Sequence, residues 1–210
     1  YKYRESETMA YYFKVGGPIL WVLFFMSMGA LAIILEKTVF FTTKEKKVNA
    51  NFKKDINDLI SAGKVEEAIQ LCETQKGSVA GSIKTFLKRA KKGQDVQDYE
   101  SIIKEIMLES MSPLDRGLSS LEAIGSLAPM CGLLGTVTGM IKAFINISKM
   151  GAGDPTIVAD GISEALVTTA AGLYVAIPVI AAYNIFSKIA ARREDEVDKI
   201  VANIINIFRR

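Results

Sequence analysis

Three long windows without a charged side chain constrain this chain more than any other feature of its sequence. They cover residues 15–35, 123–141 and 165–187. At about 1.5 Å of rise per residue, 21 helical residues extend roughly 31 Å, which is enough to cross the hydrocarbon core of a bilayer. The pattern predicts an all-α membrane protein with three transmembrane helices, at residues 15–35, 118–147 and 161–188.

The three predicted spans differ in composition. The first is rich in Leu, Phe and Met, whereas the second and third are rich in Gly, Ala, Ser and Thr. Small residues let helix backbones approach closely, so the last two helices are predicted to pack on protein rather than lipid. A cleaved signal peptide is the alternative for the first span, but its apolar core is normally only about 7–15 residues long. We therefore expect an uncleaved first helix.

Lysine and arginine are distributed unevenly between the predicted loops. The segment 42–116 carries 14 of them, whereas the link 148–160 carries only Lys149. By the positive-inside rule the long segment is cytoplasmic. The N-terminal segment 1–14 and the link 148–160 are then predicted on the outer side, and the tail 189–210 in the cytoplasm.

The cytoplasmic segment 42–116 has a helical pattern. Apolar residues recur at helical spacing, as at Val65, Ala68, Ile69 and Cys72. Glycines punctuate the segment at positions 63, 77 and 93. The pattern predicts a small helical insert that is continuous with long cytoplasmic extensions of the membrane helices.

Two amphipathic stretches leave their packing partners open. Residues 101–111 alternate Ile, Met and Leu with Lys and Glu, and they either contact a neighbouring subunit or pack on their own bundle. The tail carries an apolar stripe at Val197, Ile200, Val201, Ile204, Ile205 and Phe208. That stripe is suited either to self-association or to folding back on the chain.

Several classes of function are disfavoured by composition. The chain has no histidine, so it has no imidazole for catalysis or for a His-ligated metal site. No nucleophile–base pair, phosphate loop or metal cluster is recognisable, and a net charge of +3 does not indicate a nucleic-acid partner. Cys72 and Cys131 are predicted to be reduced thiols. We expect neither an enzyme nor a cofactor.

Small and polar residues line one face of the second span. Pro129, Gly132, Thr136 and Gly139 follow one another at helical spacing, and Gly135 with Gly139 forms a small-xxx-small pair. One interpretation is a polar, kinked surface. The alternative is that the glycines only permit close helix contact and Thr136 bonds the carbonyl four residues back in its own helix.

The third span begins with the carboxylate of Glu164. Thr168 lies on the same helical face as Glu164, whereas Thr169 is about 140° away. Glu164 either faces water or other subunits, or simply stabilises the helix N-terminus. Pro178 is predicted to kink this helix, and Lys142, at the end of the second span, to extend toward the membrane surface.

No other side chain that is charged at neutral pH lies in the central part of any span. The chain alone therefore cannot relay protons across a bilayer through titrating groups, and a partner would have to supply one. The hydroxyls of Thr136, Thr168 and Thr169 can hydrogen-bond water and a foreign carboxylate without carrying charge themselves.

Two sequences resemble the MotA/TolQ/ExbB proton-channel family. They are IGSLAPMCGLLGTVTGMIKAF (residues 124–144) and GISEALVTTAAGLYVAIPVIAAYN (residues 161–184). The most specific motifs are GLLGTVTG in the second span and ISEAL, TTAAGL and AIP in the third. Three spans and an insert of this length resemble ExbB or TolQ more than flagellar MotA.

The resemblance implies roles for particular residues. The pore threonines of the family fall on Thr136 and Thr169, and its glutamate falls on Glu164. Helical phase instead favours Thr168, which lies on the same face as Glu164, so either threonine of that pair is a candidate. Pro129 and Pro178 also match the family pattern.

The resemblance also implies an assembly and a mechanism. A pentamer in the lipid of the bacterial inner membrane would surround two single-span partners of the ExbD/TolR type, which supply an aspartate. Proton flow would then drive an envelope-spanning protein of the TonB or TolA type. The alternatives are a gliding or flagellar-type stator of the same family and a membrane scaffold that conducts no ions.

Overall fold

The computed structural model of the chain describes residues 17–45, 51–150 and 155–209. Those ranges contain seven helices and no strand, which confirms the all-α prediction. In chain order they are α1 Gly17–Thr43, α2 Phe52–Ser61, α3 Val65–Thr74, α4 Ser78–Arg89, α5 Val96–Asp115, α6 Leu118–Met150 and α7 Pro155–Phe208. The predicted outer segment 1–14 lies outside the described residues, as does part of the predicted link 148–160.

Three of these helices are long and apolar enough to cross a membrane, namely α1, α6 and α7. They have 27, 33 and 54 residues, so each is longer than the span predicted for it. A helix satisfies its own backbone hydrogen bonds in water as well as in lipid, so it need not end where charged residues begin. Which part of each helix lies in the bilayer stays a prediction.

The chain divides into two compact units. The first, which we call the membrane unit, consists of the described residues up to Leu35 and of Gly117–Asn184. The second, the polar unit, consists of the described parts of Glu36–Arg116 and Ile185–Arg210. The division between Leu35 and Glu36 coincides with the end of the first charge-free window.

The membrane unit has a small core and an apolar surface. Leu23 of α1 packs with Ala128 of α6 and Ala176 of α7 at the centre of this core. Large apolar side chains such as Phe25, Met130 and Tyr174 are instead exposed. An apolar exterior around a core of small residues is the arrangement expected of helices that meet lipid or other membrane helices.

The polar unit has an interior of the kind found in soluble proteins. The apolar faces of α2 to α5 are buried, with Phe52, Ile56, Ile83 and Phe86 among the fully covered side chains. Gly63, Gly77 and Gly93 lie in the turns between these helices with positive φ, so the predicted glycine punctuation matches the observed helix ends.

Both amphipathic stretches pack on their own chain. The tail stripe is buried at Val197, Ile200, Val201, Ile204 and Phe208. The Tyr99 ring lies 6.2 Å from the Phe86 ring and 6.3 Å from the Phe208 ring, measured between centroids. In the 101–111 stretch, Ile106 and Met111 are buried while Leu108 is 71% exposed. Of the alternatives left open by the sequence, the structure therefore shows folding back.

Two charged side chains of the polar unit are buried against helix ends. Lys37 Nζ donates to the carbonyls of Pro113 and Leu114 at the C-terminal end of α5, both at 2.9 Å. Glu45 accepts hydrogen bonds from the backbone N–H of Ser78 at 3.0 Å and from its hydroxyl at 2.9 Å, at the N-terminus of α4. A cation at a helix C-terminus and an anion at an N-terminus both stabilise the helix dipole.

Arg193 of α7 lies beside Glu45 inside the same unit. Its side chain is 7% exposed and that of Glu45 is 3% exposed. Arg193 Nε is 3.8 Å from Glu45 Oε1, and Arg193 Nη1 donates to Glu196 Oε2 at 2.9 Å. Arg193 Nε has no hydrogen-bond partner within the described residues. Arg193 and Glu45 are therefore a buried pair of opposite charges, and Glu196, which is 46% exposed, binds Arg193 from the surface.

Candidate functional site

Helices α6 and α7 meet along a seam of small residues. A Cβ atom added at Gly139 would lie 3.0 Å from the Gly161 oxygen and 3.1 Å from the Ala165 Cβ. One added at Gly132 would lie 3.0 Å from the Thr168 oxygen, and one added at Gly172 would lie 2.6 Å from the Ala128 oxygen. Contacts that advance along α6 retreat along α7, so the two helices are antiparallel. Backbone thus touches backbone, as small residues permit.

Thr168 fills the space that Gly135 leaves in this seam. Its side chain is 1% exposed, and a Cβ atom at Gly135 would collide with its hydroxyl and its Cβ. The hydroxyl donates to the carbonyls of Glu164 at 3.2 Å and Ala165 at 2.8 Å in its own helix. Thr168 therefore points between α6 and α7 of one chain.

Thr136 and Thr169 are more accessible than Thr168, since both are only partly buried. The Thr136 hydroxyl donates to the Leu133 carbonyl at 2.6 Å, three residues back in α6. The Thr169 hydroxyl donates across the seam to the Gly132 carbonyl at 3.1 Å. A donating hydroxyl keeps its lone pairs, so both oxygens can still accept a hydrogen bond from water or a protonated carboxyl.

Glu164 forms an ion pair with Lys142. Lys142 Nζ donates to Glu164 Oε1 at 2.5 Å, with the lysine side chain 51% and the glutamate side chain 18% exposed. Lys142 was expected only to extend toward the membrane surface, but it crosses from α6 to α7. The first residue of α1, Gly17, lies against the same carboxylate, since a Cβ atom there would be 2.6 Å from Oε1.

Both predicted helix-shaping prolines lie inside continuous helices. Helix α6 runs through Pro129 and α7 through Pro178. Each proline lacks an N–H, which leaves the carbonyl four residues earlier without its helical donor. These carbonyls belong to Gly125 and Tyr174, and Gly125 itself packs closely on Ile180 of α7.

The described side chains of this site offer hydrogen bonding and charge. No group of three or more acidic or cysteine side chains that could hold a metal ion occurs within residues 17–45, 51–150 and 155–209. The threonine hydroxyls can form a neutral wall that solvates water or an acid. The Lys142–Glu164 ion pair contributes the charged side chains of this site.

Three apolar helices, two of them joined along a hydroxyl-bearing seam of small residues, define a polytopic integral membrane protein. The model of the MotA/TolQ/ExbB proton channel family matches residues 74–199, more than half of the chain, and this match contains the whole seam. The chain belongs to this family of channel-type membrane proteins.

Curated relatives agree with this assignment. The biopolymer transport protein ExbB of Neisseria meningitidis serogroup A is 30% identical over 189 residues, which cover 84% of this chain and 86% of the relative. A putative ExbB homolog of Methanothermobacter thermautotrophicus is 30% identical over 193 residues, covering 92% of this chain and 67% of the relative. ExbB of Xanthomonas campestris pv. campestris is 40% identical over 106 residues, half of this chain and 42% of the relative.

Proposed function

We propose that this chain is the channel-forming stator subunit of an ExbB/TolQ-like motor in the bacterial inner membrane. Copies of the chain, five by family resemblance, would surround a single-span partner that brings an aspartate into the membrane. The N-terminus would lie on the outer side and the C-terminus in the cytoplasm. The observation that carries the proposal is the pair of accessible hydroxyls, Thr136 and Thr169, at the seam of a member of this family.

A neutral hydroxyl wall suits the passage of an acid that changes its charge. A partner aspartate protonated from the outer side is neutral, and it can move past Thr136 and Thr169 while exchanging hydrogen bonds with them. Release of the proton to the cytoplasm would restore the negative charge. Each unit charge that crosses yields about 2.3 kcal/mol per 100 mV of membrane potential, which is the work available to the motor.

Exposure favours Thr169 over Thr168 as the second hydroxyl of this pathway. Thr168 is enclosed against Gly135, and its hydroxyl donates to its own helix. Thr169 retains exposure, and its oxygen lies at the edge of the seam. This agrees with the family resemblance and argues against the helical phase argument.

The output of the motor is proposed from its relatives. Two of the three described above are named biopolymer transport protein ExbB and the third a putative homolog. Energy would therefore pass through the single-span partner to an envelope-spanning protein of the TonB or TolA type.

The test measures proton uptake by membrane vesicles that contain the chain and its single-span partner. We expect Thr136→Val, which removes the hydroxyl and keeps the shape, to lower the proton flux at least about tenfold, because a buried acid loses a hydrogen-bond partner. Thr138→Val is the matched control. Thr138 is two residues from Thr136 and lies on another side of α6, where its hydroxyl donates to the Leu134 carbonyl at 3.0 Å. The Thr138→Val substitution should leave the flux near that of the wild type.

Alkaline extraction and native gels would show that both variants insert and assemble. A wild-type complex that assembles but admits no more protons than empty vesicles would refute the channel and favour a scaffold that conducts no ions. Equal flux in the Thr136 and Thr138 variants would refute the role of Thr136.

A further inference from the structure

The ion pair between Lys142 of α6 and Glu164 of α7 places two charged side chains at a seam that otherwise consists of small residues. Glu164 lies in an apolar helix of the membrane unit, where an isolated carboxylate is strongly unfavourable. Lys142 offsets that charge from the facing helix. The lysine and the glutamate therefore balance each other's formal charge within one chain.

The backbone contacts of the seam determine the geometry of this pair. Gly139 contacts Ala165, and a Cβ atom at Gly161 would lie 2.5 Å from the Ala143 Cβ. Lys142 is next to Ala143 in α6, and Glu164 is next to Ala165 in α7. Since backbone contacts leave little freedom for one helix to slide along the other, the lysine and glutamate are held opposite each other.

A third helix constrains the same carboxylate. Gly17 begins α1 with a φ of 63°, and its Cα region lies against Glu164 Oε1. The N-terminal end of a helix carries a partial positive charge that favours a nearby anion. Glu164 is therefore bound by a lysine of α6 and approached by the first residue of α1.

We propose that Lys142 is a positioning residue for Glu164. The lysine holds the carboxylate at one place on the seam and balances its charge, and the rate of proton passage depends on the two residues having opposite charges. This inference rests on the proposed function, because it assigns to Lys142 a part in the same pathway. It adds a residue outside the threonine and glutamate set that the sequence indicated.

The test uses charge reversal and proton uptake by vesicles that contain the chain with its single-span partner. We expect Lys142→Met to lower the flux per assembled complex at least about fivefold, a typical strength for coupled neighbours, and Lys142→Arg to stay within about twofold of wild type. Lys142→Glu should abolish flux, because it places two carboxylates together. The double variant with Lys142→Glu and Glu164→Lys should recover at least about fivefold over Lys142→Glu alone.

Lys149→Met is the matched control. Lys149 is exposed and lies seven residues further along α6, on the same helical face. Its replacement removes the same charge from the same end of the helix, so a general effect of net charge would lower both fluxes equally. We expect the Lys149 variant to conduct like wild type.

Each outcome decides the inference. If the Lys142→Met variant conducts protons as fast as the wild type, the role of Lys142 is refuted while the proposed channel stands. If wild-type vesicles show no proton flux, the proposed function itself is refuted. If a charged variant fails to assemble, the amount of assembled complex becomes the readout, and the double variant should restore it. Restored assembly with normal flux per complex in Lys142→Met would show a structural pair only, and would also overturn the inference.

Discussion

Replacing Glu45 by alanine should destabilise the start of helix α4 more than any exposed substitution in the polar unit. The carboxylate accepts hydrogen bonds from the Ser78 backbone N–H and hydroxyl, and its Oε1 lies 3.8 Å from the Nε of buried Arg193. Its removal has two effects. The first turn of α4 loses its cap, and Arg193 retains only Glu196, with which it forms a 2.9 Å hydrogen bond.

The magnitude follows from these contacts. Loss of an N-terminal cap costs about 1 kcal/mol. Breaking a fully buried ion pair costs about 3–5 kcal/mol. We expect only about 1–2 kcal/mol of that here, because Arg193 Nε is 3.8 Å from Glu45 Oε1 and Arg193 still donates to Glu196. Together these give about 2–3 kcal/mol. Arg193→Met should cost less, since Glu45 keeps both donors of Ser78, and the double variant should cost less than the sum of the two.

Hydrogen–deuterium exchange of the full chain in detergent measures this locally, in the peptide that contains Ser78–Arg89. A loss of 2–3 kcal/mol corresponds to exchange that is about 30-fold to 150-fold faster when local opening limits exchange. Glu73→Ala is the matched control, because Glu73 pairs with Lys84 of the same helix at 2.8 Å but is 50% exposed. Exposed pairs contribute little, so its exchange should stay within a few fold of wild type.

Equal exchange in the Glu45 and Glu73 variants would refute this reasoning. So would strict additivity of the Glu45 and Arg193 substitutions, because residues that share a buried interaction should be coupled.

Two further predictions concern packing and thiol chemistry. Gly132→Ala should destabilise the folded membrane unit by about 1–3 kcal/mol, because the new Cβ would lie 3.0 Å from the Thr168 oxygen. Gly29→Ala is the control and should have little effect, because a Cβ atom there would meet nothing within 4 Å. Thermal denaturation in detergent compares the two variants. Burial raises the pKa of the Cys72 thiol to about 12 from an ordinary value of 9.0. In a chain that carries Cys131→Ser, alkylation of Cys72 at pH 8 should be about a thousandfold slower in the folded than in the denatured state. The alkylation rate of the folded chain should rise about tenfold per pH unit up to that pKa. Fast labelling of the folded chain would contradict the burial of Cys72.

The membrane helices could be predicted because charge is excluded from lipid. The gap between Lys14 and Glu36 marks a span without any knowledge of its neighbours. Helical extensions beyond the apolar windows were also predicted, and α1 continues to Thr43 and α7 to Phe208 through charged residues, but the residues at which these helices end were not. Beyond the apolar windows, helix ends depend on packing in the polar unit, which the charge pattern does not encode.

The seam between α6 and α7 was predictable from the sequence, whereas the pairings across it were not. Small residues at helical spacing indicated the seam, and both Thr168 and Thr169 were named. Deciding which of the two is enclosed requires the register of α6 against α7, which places Gly135 opposite Thr168. The same register pairs Lys142 with Glu164, and long-range folding likewise brings Glu45 to Arg193. Single-helix periodicity contains no such information.

The close contact within the seam also restricts where a proton pathway can run. A Cβ atom added at Gly132 or at Gly139 would lie 3.0 Å from a backbone oxygen of α7, so the two helices are in direct contact there. No water column or third helix fits between α6 and α7 of one chain at these positions. A pathway must instead follow an outer face of this helix pair, where Thr136 retains exposure. Within the described residues of a single chain this face is not covered, and in the proposed ring neighbouring chains would enclose it. A pathway along Thr136 is therefore compatible with the proposed ring of subunits around a single-span partner.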